Sequence, residues 1–166
     1  MHTILPLTGK VKFSITLDPS SWIFDDRKIE WNDFLEEAKN GSGDIMEDET
    51  KVYEREIKAL SKKLGKPADG KHIRRYSKQQ WLTDSFVIPA RPFIDNAEPL
   101  EEAATVIFHQ KNGERYSLPL EDVRKGVFAF SKDGKAIVDD GPLYFYYGNG
   151  TNASNPVKGI EKIEID

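Results

Sequence analysis

Gly65-Lys66-Pro67-Ala68-Asp69-Gly70-Lys71-His72 matches the phosphate-cradling G-x-x-x-x-G-K pattern up to its last position. A magnesium-binding hydroxyl belongs there, and His72 stands in its place. A phosphate loop also leaves a buried strand and enters a helix, whereas this stretch follows a helix-like run ending Ser61-Lys62-Lys63-Leu64, so it reads as a Gly/Pro loop. Lys71, His72, Arg74, Arg75 and Lys78, interleaved with Tyr76 and Trp81, form a basic and aromatic cluster of the kind that grips phosphates and stacks bases. The chain as a whole carries 24 basic and 28 acidic side chains, a formal charge of −4, so no global field draws it to nucleic acid or anionic lipid. The cluster reads as a solvated segment offsetting the acidic run before it.

Other chemistry-bearing types are scattered. His2, His72 and His109 are far apart in sequence, and none has a second ligand at metal-site spacing. Asp25-Asp26 and Asp139-Asp140 sit beside turn residues without the spacing of a calcium loop. No serine occupies a G-x-S-x-G elbow. There is no cysteine, which removes disulfides, zinc–thiolate and iron–sulfur sites, thiolate nucleophiles and thiolate-ligated molybdenum together. The best patch for a ligand is the turn cluster Asp139-Asp140-Gly141 and Gly148-Asn149-Gly150-Thr151-Asn152 with Lys158, because Gly/Asn loops expose backbone N–H groups to small anions. The sequons at Asn40, Asn149 and Asn152 read as turns, since no secretory signal is evident.

These residues need elements to position them, and 166 residues suffice for one domain spanning 1–166. Val11, Phe13, Ile15 and Leu17 alternate with polar residues, which predicts one strand over 9–17, closed by Asp18-Pro19-Ser20. Trp22-Ile23-Phe24 and Ile29-Glu30-Trp31 flank a charged tip, as in a short hairpin with core aromatics. A helical segment is expected between residues 32 and 80. Asp33 and Glu36 cap a first helix that stops at Asn40-Gly41; Gly41-Ser42-Gly43 breaks the chain; and Tyr53, Ile57, Leu60 and Leu64 stripe a longer helix over 48–64. Strand signal returns over Trp81–Ile88. Residues 104–109 and 114–118 around Asn112-Gly113 spell a type I′ hairpin, and Pro119–Val123 opens a short helix. Leu143–Tyr147 and a run carrying Ile160, Ile163 and Ile165 are further strands. The expected class is α+β, mainly antiparallel sheet.

Two resemblances add to this reading. Ile4–Lys12, Ile15–Pro19, Trp22–Lys28, Phe130–Lys135 and Asp140-Gly141-Pro142 are similar to a family of small cytoplasmic Bacillus-type proteins that often carries the label peptidyl-prolyl isomerase. Phe108-His109 and Thr151-Asn152-Ala153-Ser154 resemble cyclophilin motifs. Gln110 replaces the arginine that would polarise the prolyl amide, and Asn155-Pro156-Val157 replaces the run that follows the loop. Residues 104–165, through Leu118–Val123, Asp133-Gly134, Asp140–Tyr144 and Asn155–Ile163, resemble the closing part of the molybdopterin-binding domain of sulfite-oxidase-type enzymes. That likeness implies a sulfite-oxidase-like fold, a cysteine on molybdenum, and a basic segment, here Lys158, on the pterin phosphate. With no cysteine the first role has no candidate. The expectation is a cytoplasmic, non-catalytic binding or interaction module without cofactor or metal, whose partner is a protein or a small anionic ligand, with no nucleic acid and no membrane; prolyl isomerase or chaperone-like activity is the alternative.

Overall fold

A computed structural model describes residues 4–40 and 76–166, and in it ten strands join into one connected sheet. The organising strand is β10 (Val157–Ile165), a run whose Val157, Ile160, Ile163 and Ile165 are all buried. Its first half pairs antiparallel with β9 (Leu143–Tyr146), and its second half pairs parallel with β1 (Leu5–Gly9). Its other side carries β5 (Thr105–Gln110) antiparallel, which in turn carries β6 (Arg115–Pro119). Gly159, at φ +64°, sits where the register shifts and lets one strand serve these neighbours. Beyond β9 the antiparallel order runs through β7 (Val127–Lys132) and β4 (Phe86–Pro89) to β3 (Ile29–Glu30). β2 (Ile15–Leu17) flanks β1, and β8 (Lys135–Ala136) flanks β7.

Both faces of the central strands are covered. On β7, Phe128 and Phe130 enter one core with Trp22, Phe108 and Phe145, while Val127 and Ala129 enter a second with Phe34, Tyr144 and Tyr146. Trp22 stacks on Phe93 at 4.7 Å between ring centres. The second core is roofed by α1 (Trp31–Asn40). The buried Glu30 starts that helix: its Oε2 accepts from the Asn32 and Asp33 amides at 2.8 and 3.2 Å. Tyr76 pins the chain's return, accepting from the Glu30 amide at 3.0 Å and donating to Asp33 Oδ2 at 2.8 Å. Lys28 is buried beside it, with its ammonium 4.5 Å from the Trp81 ring centre. Three further short α-helices lie among the described residues: α2 (Lys78–Thr83), α3 (Arg91–Asn96) and α4 (Leu120–Lys125).

Several local expectations change. The strand expected over 9–17 is two strands, because Gly9 turns at φ +104° and Phe13, 54 % exposed, lies in the connection. The hairpin expected around residues 22–31 is a 3-10 helix, Pro19–Phe24, capped by Asp18, followed by β3, which pairs with β4 instead. Of its aromatics Trp22 is core and Phe24 is exposed. Trp81-Leu82-Thr83 is helical, since Ser77 and Gln80 form a capping box. The Asn112-Gly113 hairpin exists, but only Gly113 has positive φ and the Gly113 amide donates to Gln110 O at 2.9 Å, a three-residue loop with a bulge. Asp133 and Gly134, at φ +52° and +79° between β7 and β8, meet the two-residue type I′ requirement instead. The helix over 48–64, the 41–43 break, the Gly65–His72 pattern, and Lys71, Arg74, Arg75 and His2 lie outside the described residues. No helix among the described residues is long and apolar enough to cross a membrane.

Candidate functional site

The six residues expected to bind a ligand fall into two groups at opposite ends of β9. Asp139 and Asp140 precede the strand, exposed in the connection from β8. Lys158 lies beside the Gly159 bulge of β10, with its Nζ 3.6 Å from Asp140 Oδ2 and 5.5 Å from the Tyr144 ring centre. The buried Tyr144 hydroxyl donates to Asp140 Oδ1. Main-chain bonds hold the group in place: the Gly159 amide donates to Asp140 O at 2.5 Å, the Lys111 amide to Gly159 O at 2.8 Å, and Gln110 Nε2 to Lys158 O at 2.9 Å. The Tyr144 hydroxyl, and then the Lys158 charge, hold the Asp140 carboxyl below its ordinary range. Burial, and then the hydrogen bond to Asp140, raise the Tyr144 phenol.

Asn149, Thr151 and Asn152 follow β9, and their polar atoms fold the loop onto itself. Asn149 Oδ1 accepts from the Thr151 amide at 3.1 Å. Asn152 Oδ1 accepts from the Tyr147 amide at 2.9 Å, and its Nδ2 donates to Phe145 O at 3.2 Å. The structure thus brings Asp140 and Lys158 together with Tyr144 and places the Asn149–Asn152 loop apart from them. His109 Nε2 lies 2.9 Å from Glu164 Oε1 on the neighbouring strand.

Beside Tyr144 the second face of the sheet opens into a cleft of about 250 Å³. Its floor is the middle strand β7, where Ala129 and Ser131 are small; Tyr144 and Tyr146 of β9 form one wall, and Trp31, at the start of α1, another. The ring centres of Trp31 and Tyr146 are 4.6 Å apart. Ser85 and Ser131 close the β4 side. Ser131 Oγ accepts from the Phe86 amide and Ser85 Oγ from the Asp133 amide, each at 3.0 Å. Burial, and then the Asp140 charge, raise the Tyr146 phenol. None of these cleft residues stood out as a site in the sequence. The available signal was the spacing of Tyr144 and Tyr146, two apart on a strand and hence on one face.

No family model matches the chain, and no curated protein matches it. Among solved structures it is similar to the sulfane dehydrogenase SoxCD from Paracoccus pantotrophus, at a TM-score of 0.50 and 13 % identity, over 98 % of this chain and 37 % of that one. The chain therefore spans little more than a third of that protein's length. At this identity the likeness shows the fold: a sulfite-oxidase-like α+β arrangement, mainly antiparallel sheet. The thiolate-ligated molybdenum centre implied by that fold family does not fit the residues present. The chain contains no cysteine, and among the described residues no three His, Asp or Glu side chains gather where they could hold a metal.

Proposed function

We propose that the chain is a non-catalytic binding or interaction module on a sulfite-oxidase-like scaffold that cannot ligate molybdenum through a thiolate. It works in the cytoplasm and takes a protein or a small anionic ligand rather than nucleic acid or membrane. The observation that carries the reading is the conjunction of that fold with a complete lack of cysteine. Contact with the partner falls to the two ends of β9, Asp139, Asp140 and Lys158 at one and Asn149, Thr151 and Asn152 at the other. Asp139, Asp140, Asn149, Thr151 and Lys158 are exposed, while the Asp140, Asn149 and Asn152 side chains keep the loops in shape.

Metal and pterin analysis of the purified protein, run beside a protease-coupled proline-peptide assay, tests this. The expected result is neither group in stoichiometric amount, and proline isomerisation at its uncatalysed rate of tens of seconds. A stoichiometric metal or pterin overturns the reading. So does acceleration that is lost in His109→Gln or Asn152→Ala, which would establish a prolyl isomerase. Both residues are held by neighbours within the fold, His109 by Glu164 and Asn152 by the Phe145 and Tyr147 main chain.

A further inference from the structure

We infer that the cleft over β7 binds a small planar aromatic carboxylate. The inference rests on the binding-module reading and adds to it a ligand class and a place. The cleft arises from a mismatch of side-chain size. Strand alternation aims Ala129 and Ser131 at the same face as Tyr144 and Tyr146, so the middle strand presents a methyl and a hydroxymethyl between bulky neighbours. The remaining space, about 250 Å³, is walled by the rings of Trp31, Tyr144 and Tyr146, a geometry that suits a flat ring more than an aliphatic chain.

The polar groups in the cleft share one character. Ser131, only 7 % exposed, and Ser85 have each accepted a main-chain amide, so their oxygens are engaged and their own protons have no acceptor among the described residues. Lys132 at the rim has no ion-pair partner among the described residues. The β4 side of the cleft therefore offers donors and positive charge. On the β9 side Asp140 already engages the Tyr144 hydroxyl and repels a second anion. A ligand that answers this arrangement lays its ring over Ala129, against the contacting Trp31–Tyr146 pair and Tyr144, and puts its carboxylate at Ser85 and Ser131.

Titration of isotopically labelled protein with 2-naphthoate, followed by NMR, is the test. Saturable shifts are expected at Ala129, Ser131, Tyr144 and Tyr146 with a dissociation constant below about 1 mM. Trp31→Ala, at a half-buried rim position, should weaken binding about tenfold. Ala129→Leu, which fills the floor, should abolish it. Should that variant fold poorly, Trp31→Ala and the shift map still decide. The inference is overturned by shifts that do not saturate, by saturable shifts elsewhere on the protein, or by an affinity that Trp31→Ala leaves unchanged. None of these outcomes alters the metal, pterin and isomerase measurements, so the cleft and the module reading fail separately.

Discussion

At the scale of single residues the most informative group is Tyr144, which joins the Asp140–Lys158 pair to the cleft wall. Replacing it with Phe removes one hydroxyl and keeps the ring, so the loss of stability should be about 1.5 kcal/mol, the low end for a hydrogen bond to a charged acceptor because Asp140 is exposed. Breaking the half-exposed Lys158–Asp140 pair by Lys158→Ala should cost less, because solvent screens it. Tyr144→Phe also has a pH signature. Burial raises the Tyr144 and Tyr146 phenols, and burial with the Tyr116 hydroxyl pushes Tyr147 up to about 12. In the unfolded chain phenols ionise near 10, so from about pH 10 upward the unfolded state releases protons that the folded state still holds. Stability is therefore fully present below about pH 10 and declines as pH rises through the folded values. Thermal unfolding followed from pH 8 to about 12 should show that decline, shallower in Tyr144→Phe; an equal slope in both proteins would remove Tyr144 from the effect.

At the scale of elements, two glycines at positive φ separate backbone conformation from backbone approach. A Cβ on Gly9 would lie 2.2 Å from the carbonyl oxygen of Ile165, across the parallel β1–β10 pairing, whereas a Cβ on Gly159 would meet nothing closer than 3.6 Å. Gly159→Ala should cost about 1 kcal/mol from its left-handed φ alone. Gly9→Ala should cost about 3 kcal/mol or more, since a main-chain oxygen in a ladder has nowhere to go. Urea unfolding of the two variants checks the order, and equal losses would mean that β1 can move away from β10. The same elements explain what the sequence discloses. The β5–β6 hairpin, the end of β10 and the opening of α4 are legible because alternation, a Gly turn or a Pro cap is written locally, and β9, though buried throughout, because its run of aromatics favours a strand. β7 is not, because Val127-Phe128-Ala129-Phe130 is buried on both faces and shows no period of two. β1 is masked by Pro6, and α2 by aromatic and β-branched residues that Ser77 and Gln80 override. Asp140 and Lys158 are legible as turn residues, but their meeting with Tyr144 depends on how β9 and β10 pair. The cleft depends on three strands at once, since a small Ala129 becomes a floor only between β4 and β9.

For the whole molecule the decisive feature is that one strand serves two cores. Phe128 and Phe130 of β7 pack with Trp22, Phe108 and Phe145 on one face, and Val127 and Ala129 pack with Phe34 and Tyr146 on the other. The hydrogen bonds that fix Phe128 against Phe145 and Ile88 belong to the same ladder that sets Ala129 against Tyr144 and Val87. Loss of either core thus frees the strand that supports the other, and unfolding should be a single cooperative step. Phe128→Ala, which empties a fully buried aromatic site, should lower stability by about 3–5 kcal/mol. It should do so equally whether unfolding is read from far-ultraviolet dichroism of the whole sheet or from the assigned indole NMR signal of Trp31, which contacts the opposite core. Coincident shifts of both signals in guanidinium chloride are the expected outcome. A displaced dichroism transition with an undisturbed Trp31 signal would mean that the roof over the cleft, α1 with Trp31, is held independently of the main core.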